Sequence, residues 1–167
     1  MQVIGVYFTD RLEARLESNF KESVREKISL LAFNVEEEMS KERGENDNSL
    51  EEDIRSLLYD FSSSDISEIQ IINDRSKIIG TSDRENQGIV GKRATDLLIK
   101  RTLVVGLDDE NVYLDENTNE RIWVLATPIK KNDKVIGAIY LVATIENVYE
   151  QLREIINIFA TGTIIAL

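Results

Sequence analysis

The sequence predicts an α+β domain, in which a long N-terminal helix and flanking helices cover a central antiparallel sheet of about five strands. Apolar residues recur at helical spacing between Thr9 and Met39, which predicts the long helix. Two runs rich in β-branched residues flank the polar segment Lys131–Lys134, a pattern typical of a β-hairpin. Two shorter runs, 68–73 and 77–82, flank a second polar turn. A chain of 167 residues, 42% of them hydrophobic, can bury one core of this kind.

The first helix is expected to run from Thr9 to Met39, about 31 residues and roughly 45 Å. One part of it can cover the sheet while the rest extends beyond. Its apolar stripe predicts core packing or a helix–helix contact, with a dimer contact along its first half as a further expectation. The stripe consists of Leu12, Leu16, Phe20, Val24, Ile28, Leu31, Val35 and Met39.

Residues 36–60 form an acidic segment, with ten acidic and three basic side chains. Gly44–Asn48 has the composition of an exposed loop. Ser49, with Glu52 three positions later, fits a capping box that opens a helix through Phe61. We expect a solvated loop and helix start, and the alternative is a surface that attracts divalent cations or a basic partner.

The remaining elements follow in a simple order. After the strands at 68–73 and 77–82, a polar loop is expected over 83–91 and a helix over 94–105. A short strand at 111–114 and a turn at 115–120 lead into the main hairpin. A last helix is expected to begin near Glu146.

The main hairpin is expected in the middle of the sheet. Its strands, Ile122–Ile129 and Val135–Ile145, are apolar on both faces, so each face needs cover. In the second strand, residues 135, 139, 141 and 145 should point one way and residues 136, 138, 140 and 142 the other. Pro128 cannot donate to a ladder, which favours an edge or a bulge. The expected core residues of the hairpin are Trp123, Ile139 and Leu141.

Composition excludes several classes of function. The net charge of −11 argues against a nucleic-acid partner held by phosphate contacts. The chain has no cysteine and no histidine, which removes disulfides, thiol chemistry and the commonest general base. Gly88–Arg93 is too short for a phosphate loop, and Asp115–Glu120 lacks the glycine of a calcium loop. We therefore expect no catalytic residue, no metal site and no cofactor.

Both ends of the chain are apolar and free of charge. Residues 1–8 and 155–167 are each shorter than the roughly 20 apolar residues that span a bilayer. Each end could pack as a buried helix or strand. Our preferred interpretation is that 1–8 is the end of a first transmembrane helix and 155–167 the start of a second, with 9–154 as the domain between them.

Several segments resemble a known family. IQIINDRSKIIGTS, a glycine-bearing loop and RIWVLATPIKKNDKVIGAIYLVATI resemble the extracellular PAS-like (Cache/PDC) sensor domains of bacterial histidine kinases. More narrowly, they are similar to the WalK (YycG) kinases, which govern cell-wall homeostasis. The most specific pieces are Arg121–Val124, Pro128–Lys130, Lys134–Tyr140 and Val148–Leu152.

The resemblance implies a PAS-like (Cache/PDC) fold and a non-catalytic input domain on the extracytoplasmic side of the cell membrane. It implies a membrane-tethered homodimer, paired through the N-terminal helix and transmembrane helices, that signals to cytoplasmic kinase domains. The signal would be a cell-wall fragment or a regulatory membrane protein. The alternatives are a chemoreceptor ectodomain and, from another class, a small cell-envelope hydrolase that uses the acidic residues.

The signal-binding surface is expected where Asp83–Arg93 approaches the main hairpin. Arginine binds carboxylates in a planar, two-pronged way, and basic residues occur both in this glycine-bearing loop and at the start of the hairpin. Ordinary surface ion pairs are the alternative. The proposed polar anchors are Arg84, Lys92, Arg93 and Arg121.

Overall fold

The computed structural model describes residues 2–44, 49–61, 66–146, 148, 150 and 153–158, with the backbone alone over 2–9. The helices are α1 (Gln2–Ser40), α2 (Ser49–Phe61) and α3 (Leu97–Val105). The strands are β1 (Ile66–Asn73), β2 (Ile78–Thr81), β3 (Asp109–Asp115), β4 (Glu120–Lys131) and β5 (Lys134–Thr144). The described residues from Glu146 onwards are helical.

The strands form one antiparallel sheet in the order β2-β1-β5-β4-β3. The main hairpin, β4 and β5, is therefore interior, and the predicted α+β architecture with five strands is confirmed. β1 pairs with β5 although 60 residues separate Asn73 from Lys134. The two hairpins thus meet through β1 and β5.

Helix α1 continues without a break from Gln2 to Ser40. The predicted stripe lies against the sheet, with Val24, Ile28, Leu31 and Val35 buried. Within the described residues, no helix combines the length and the apolarity that crossing a membrane requires. The second expected membrane segment, 155–167, lies largely outside the described residues.

The sheet is covered on both faces. Helices α1 and α2 cover the first face, where Ile54 and Leu58 of α2 pack with the α1 stripe, and the sheet contributes Trp123, Ile139 and Leu141, all fully buried. Helix α3 and the segment before it cover the second face, with Ala94, Leu98 and Ile99 buried there against sheet residues. The two apolar faces of the hairpin are thereby explained.

A bulge in β5 corrects the predicted alternation. Ile129 pairs with Gly137 and Lys130 with Val135, so Ile136 has no partner across the ladder. Ile136 consequently packs against the first core, together with Ile139, rather than on the opposite face. An extra residue in one strand reverses the facing of the residues beyond it.

Pro128 lies in an interior strand, yet at a place where that strand has a neighbour on one side only. The pairing of β3 with β4 ends at Asp109 and Ala126, two positions before Pro128. The bulge follows immediately, at Ile129 and Lys130. The missing N–H of proline therefore disrupts no ladder on the β3 side.

Within the acidic segment, Arg43 joins the end of α1 to the start of α2. Its guanidinium contacts Glu38 at 3.0 Å and Asp53 at 3.2 Å, and it also donates to the hydroxyl of Ser49. Among the described residues, no three acidic side chains are grouped so that they could hold a metal ion. Arg43 thus pairs with acidic side chains on both helices of this segment.

Helix α3 begins three residues later than predicted. Asp96 caps it by accepting a hydrogen bond from the backbone N–H of Leu98 at 2.8 Å, and this fixes the start. The helix ends at Gly106, whose φ of 76° is left-handed and suits glycine. Ala94, predicted as the first helical residue, is instead buried in the loop.

Candidate functional site

The first residues of β4 connect the two ends of the domain. Arg121 forms an ion pair with Glu13 of α1 at 3.6 Å. Its carbonyl accepts a hydrogen bond from Ile145 N–H at 3.1 Å, directly after β5. Its own N–H donates to the carboxylate of Glu146 at 3.4 Å. Arg121 therefore contacts the first half of α1, and also the segment where the chain leaves the sheet.

Four further contacts hold a neighbouring part of α1, residues 20–25, to the sheet. The ring of Phe20 lies edge-on to the indole of Trp123, with the centroids 6.2 Å apart and the planes at 64°. The cations of Lys21 and Arg25 lie 5.5 and 5.7 Å from the centroid of that indole, within range of a cation–π attraction. Arg25 also forms an ion pair with Glu110 of β3. This side of α1 is thus fixed on β3 and β4 by aromatic and charged groups.

The second face of the sheet contains one polar pair that sequence reasoning missed. The phenol of Tyr140 donates a hydrogen bond to Asp96 at 3.1 Å. Burial, followed by the negative charge of Asp96 and this hydrogen bond, raises the pKa of Tyr140 above its usual range. The sequence analysis placed Asp96 inside the helix expected over 94–105, and no local signal could indicate its partner 44 positions away.

A cleft of about 320 Å³ lies between α2 and β2, lined by mostly polar groups. Gly80 is one of the residues that line the cleft, and a Cβ atom there would collide with Ile54. At the far side, the amide of Gln87 donates to the carbonyls of Thr81 and Asp83, which fixes the loop. The lining residues are Glu51, Glu52, Arg55, Gly80, Gln87 and Val90.

The four predicted anchors lie in different parts of the molecule. Arg84 stacks on the ring of Tyr59 in α2, at 4.3 Å. Lys92 and Arg93 lie beside the start of β2, where the backbones of residues 91 and 92 bond to Ile78. Arg121 is separated from them by β1 and β5, because β2 is one edge of the sheet. Lys92 and Arg93 are neighbours in the chain, and the structure places Arg84 and Arg121 elsewhere.

Comparison with known proteins identifies relatives of this chain. Residues 53–143 match the family model described as the WalK sensor protein kinase Cache domain. The chain is 34% identical over 170 aligned residues to the sensor histidine kinase WalK of Bacillus subtilis, covering 100% of this chain and 27% of that protein. It is 33% identical to WalK of Staphylococcus aureus, of which it covers 28%. The chain thus spans about a quarter of the length of these relatives.

Solved structures show the same fold at low identity. The sensor domain of the Vibrio cholerae histidine kinase DctB superposes with a TM-score of 0.55 at 11% identity, covering 90% of this chain and 60% of that one. The ligand-binding domain of the Pseudomonas aeruginosa amino-acid chemoreceptor PctC gives a TM-score of 0.53 at 12% identity, covering 85% and 62%. At a sequence identity of 11–12%, this structural similarity shows a shared fold and nothing about function.

Proposed function

The chain belongs to the family of WalK sensor protein kinase Cache domains, and from this premise we propose that it is the extracytoplasmic input domain of a membrane-bound two-component histidine kinase that controls cell-wall metabolism. In this proposal the chain itself is non-catalytic. It binds a cell-wall fragment or a regulatory membrane protein and passes the signal to the kinase domains.

The observation that supports this role is the junction at Arg121. Residues 1–8 are proposed as the end of a first transmembrane helix and residues 155–167 as the start of a second, with 9–154 as the sensor domain. Arg121 contacts both Glu13, near the first end, and Glu146, near the second. A change in the sheet at β4 is therefore transmitted to both helices together.

Signal transmission needs two arrangements of these helices. A ligand shifts their equilibrium only if it binds one arrangement more tightly than the other. A coupling of about 1–3 kcal/mol is typical between two such sites. Lys92 and Arg93 are the proposed anchors for an anionic ligand, because they are adjacent and exposed. A ligand there would act through β2 and β1 on the neighbouring β5.

Exchange of the two charges at the junction tests the proposal. In the full-length kinase, Arg121→Glu should change the signalling output of a reporter strain, because it places two carboxylates together. The double variant Glu13→Arg with Arg121→Glu should restore the output, since the ion pair is formed again with its partners exchanged. Protein abundance and melting temperature are measured in parallel. Unchanged output of the single variant at normal abundance would contradict coupling through this junction.

A further inference from the structure

β3 is the uncovered edge of the sheet. It pairs with β4 alone, whereas residues 91–93 bond along the outer side of β2 at the opposite edge. Three consecutive apolar residues of β3 are exposed, with 39% of Val112, 46% of Tyr113 and 55% of Leu114 accessible to solvent. An exposed edge with apolar side chains is a template for pairing with another strand.

The backbone of β3 has groups available for such pairing. The N–H of Val112 donates to the side-chain carbonyl of Asn111 at 3.0 Å, so it points away from β4. In an antiparallel ladder every second residue directs both its N–H and its C=O to the same side. Glu110 and Leu114 therefore also direct their backbone groups outwards. The bond from Asn111 is local and exposed, and an incoming strand can replace it.

The charged side chains at the two ends of β3 favour one kind of pairing strand over another. At the end of β3, no basic side chain forms an ion pair with Asp115, Glu116 or Glu120 among the described residues, whereas Arg101 neutralises Asp109 at the start, at 2.9 Å. A second copy of the chain, paired antiparallel about Val112, would place Asp115 opposite Asp109, so that two carboxylates would share the guanidinium of Arg101, which is already paired with Asp109. Like charges opposite each other destabilise a strand pair. A segment with basic residues would instead be attracted to the Asp115 end.

The surface beside the start of β3 is apolar. Val104 and Val105 at the end of α3 are 85% and 63% exposed, and Leu107 in the following loop is 65% exposed. The ion pair between Arg101, in the middle of α3, and Asp109 holds this helix beside the start of β3. The edge thus has an apolar end and an acidic end.

We propose that β3 is the docking edge for an extended segment of a partner protein. The segment adds a sixth strand to the sheet, covers Val112 and Leu114 with alternating apolar side chains, and directs basic residues towards Asp115 and Glu116. This inference goes beyond the proposed signalling role, because it requires neither the kinase nor its ligand. Binding at this edge can fail while signalling through Arg121 persists, and the reverse also holds.

A fluorescent peptide, Lys-Lys-Val-Thr-Val-Thr-Val, tests the proposal by anisotropy with the 167-residue chain. The peptide should bind, and more weakly as salt is added, whereas Glu-Glu-Val-Thr-Val-Thr-Val should not. Asn111→Ala should tighten binding, because it frees the Val112 N–H. Val112→Pro should weaken it about threefold to tenfold, the effect of one lost hydrogen bond. The melting temperature should change little, because the nitrogen of residue 112 does not bond to β4.

Three results would overturn the proposal. The first is absence of binding by the lysine peptide, and the second is equal binding by both peptides. The third is a dimer of the chain itself, seen by sedimentation, that Val112→Pro abolishes, because this would assign the edge to a second copy. A variant that merely unfolds cannot imitate the expected pattern, since Asn111→Ala and Val112→Pro must change the affinity in opposite directions.

Discussion

Trp123 is the side chain that fixes the position of α1 on the sheet. It is fully buried, contacts Phe20 edge-on and lies under the cations of Lys21 and Arg25. Its indole N–H has no hydrogen-bond partner within the described part of the chain. Trp123 therefore stabilises the contact between α1 and the sheet through its buried apolar area and its packing against Phe20.

Trp123→Ala should cost about 3–5 kcal/mol of unfolding free energy, because it leaves a large cavity between α1 and β4. Trp123→Phe should cost much less, since a ring remains against Phe20 and no hydrogen bond is lost. Urea unfolding monitored by circular dichroism measures both. If Trp123→Ala unfolds at the wild-type midpoint but loses its signalling response, the residue lines a ligand site.

Because of Tyr140, the free energy of unfolding should depend on pH in the alkaline range. Its pKa is raised by burial and then by the charge of Asp96, so the unfolded chain loses this proton first, at about pH 10. Stability is therefore fully present below that pH and falls above it, because the unfolded state binds fewer protons there. In Tyr140→Phe this part of the loss should disappear. Urea midpoints of both proteins at about pH 8 and about pH 11 give the comparison, and parallel decreases would contradict the assignment.

At the scale of elements, the contact between α2 and β2 depends on one missing side chain. A Cβ atom at Gly80 would lie 2.5 Å from Cγ2 of Ile54 and 3.3 Å from Leu58. Both of those residues are fully buried. The helix can approach this strand closely only because residue 80 is glycine.

Gly80→Ala should therefore destabilise the domain by about 1–3 kcal/mol, the usual cost of overpacking a core. Gly88→Ala is the matched control, because a Cβ at residue 88 meets nothing within 4 Å. Thermal or urea unfolding of the two variants separates steric overlap from a general effect of replacing glycine. Equal stability of both variants would show that α2 can move away from β2 at little cost.

At the scale of the whole molecule, the outer side of α1 is available for a partner. Leu30 is 67% exposed and Phe33 is 61% exposed, although the opposite side of the same helix is the core. The family resemblance implies a homodimer paired through this helix, with the expected contact along its first half. We propose that this contact extends to Leu30 and Phe33 in the second half. Burying these two side chains would remove apolar area from water.

Leu30→Glu combined with Phe33→Glu should weaken the dimer at least about tenfold, because both side chains would lie in its contact. Val104→Glu combined with Val105→Glu is the control, since it adds the same charge at exposed apolar residues of α3. Sedimentation equilibrium gives the dissociation constants. Equal weakening by both pairs would indicate charge repulsion rather than a contact along α1.

The sequence by itself determined the type and order of the elements. Helical and strand periodicities are local properties, so the α1 stripe and the two-faced apolarity of β4 and β5 could be predicted from neighbouring residues. The burial of Val24, Ile28 and Trp123 follows from the same patterns. The resemblance to the WalK family also rests on segments that can be seen in the sequence alone.

Only the tertiary structure decided which distant residues meet. The bulge at Ile136, the pair of Asp96 with Tyr140 and the position of Arg121 between α1 and the chain after β5 depend on long-range pairing. The four predicted anchors all carry positive charge, but Arg121 lies apart from Lys92 and Arg93 because β1 and β5 lie between β2 and β4. Periodicity gives the face of a strand but neither its neighbours nor its register. These are set by packing across the whole sheet.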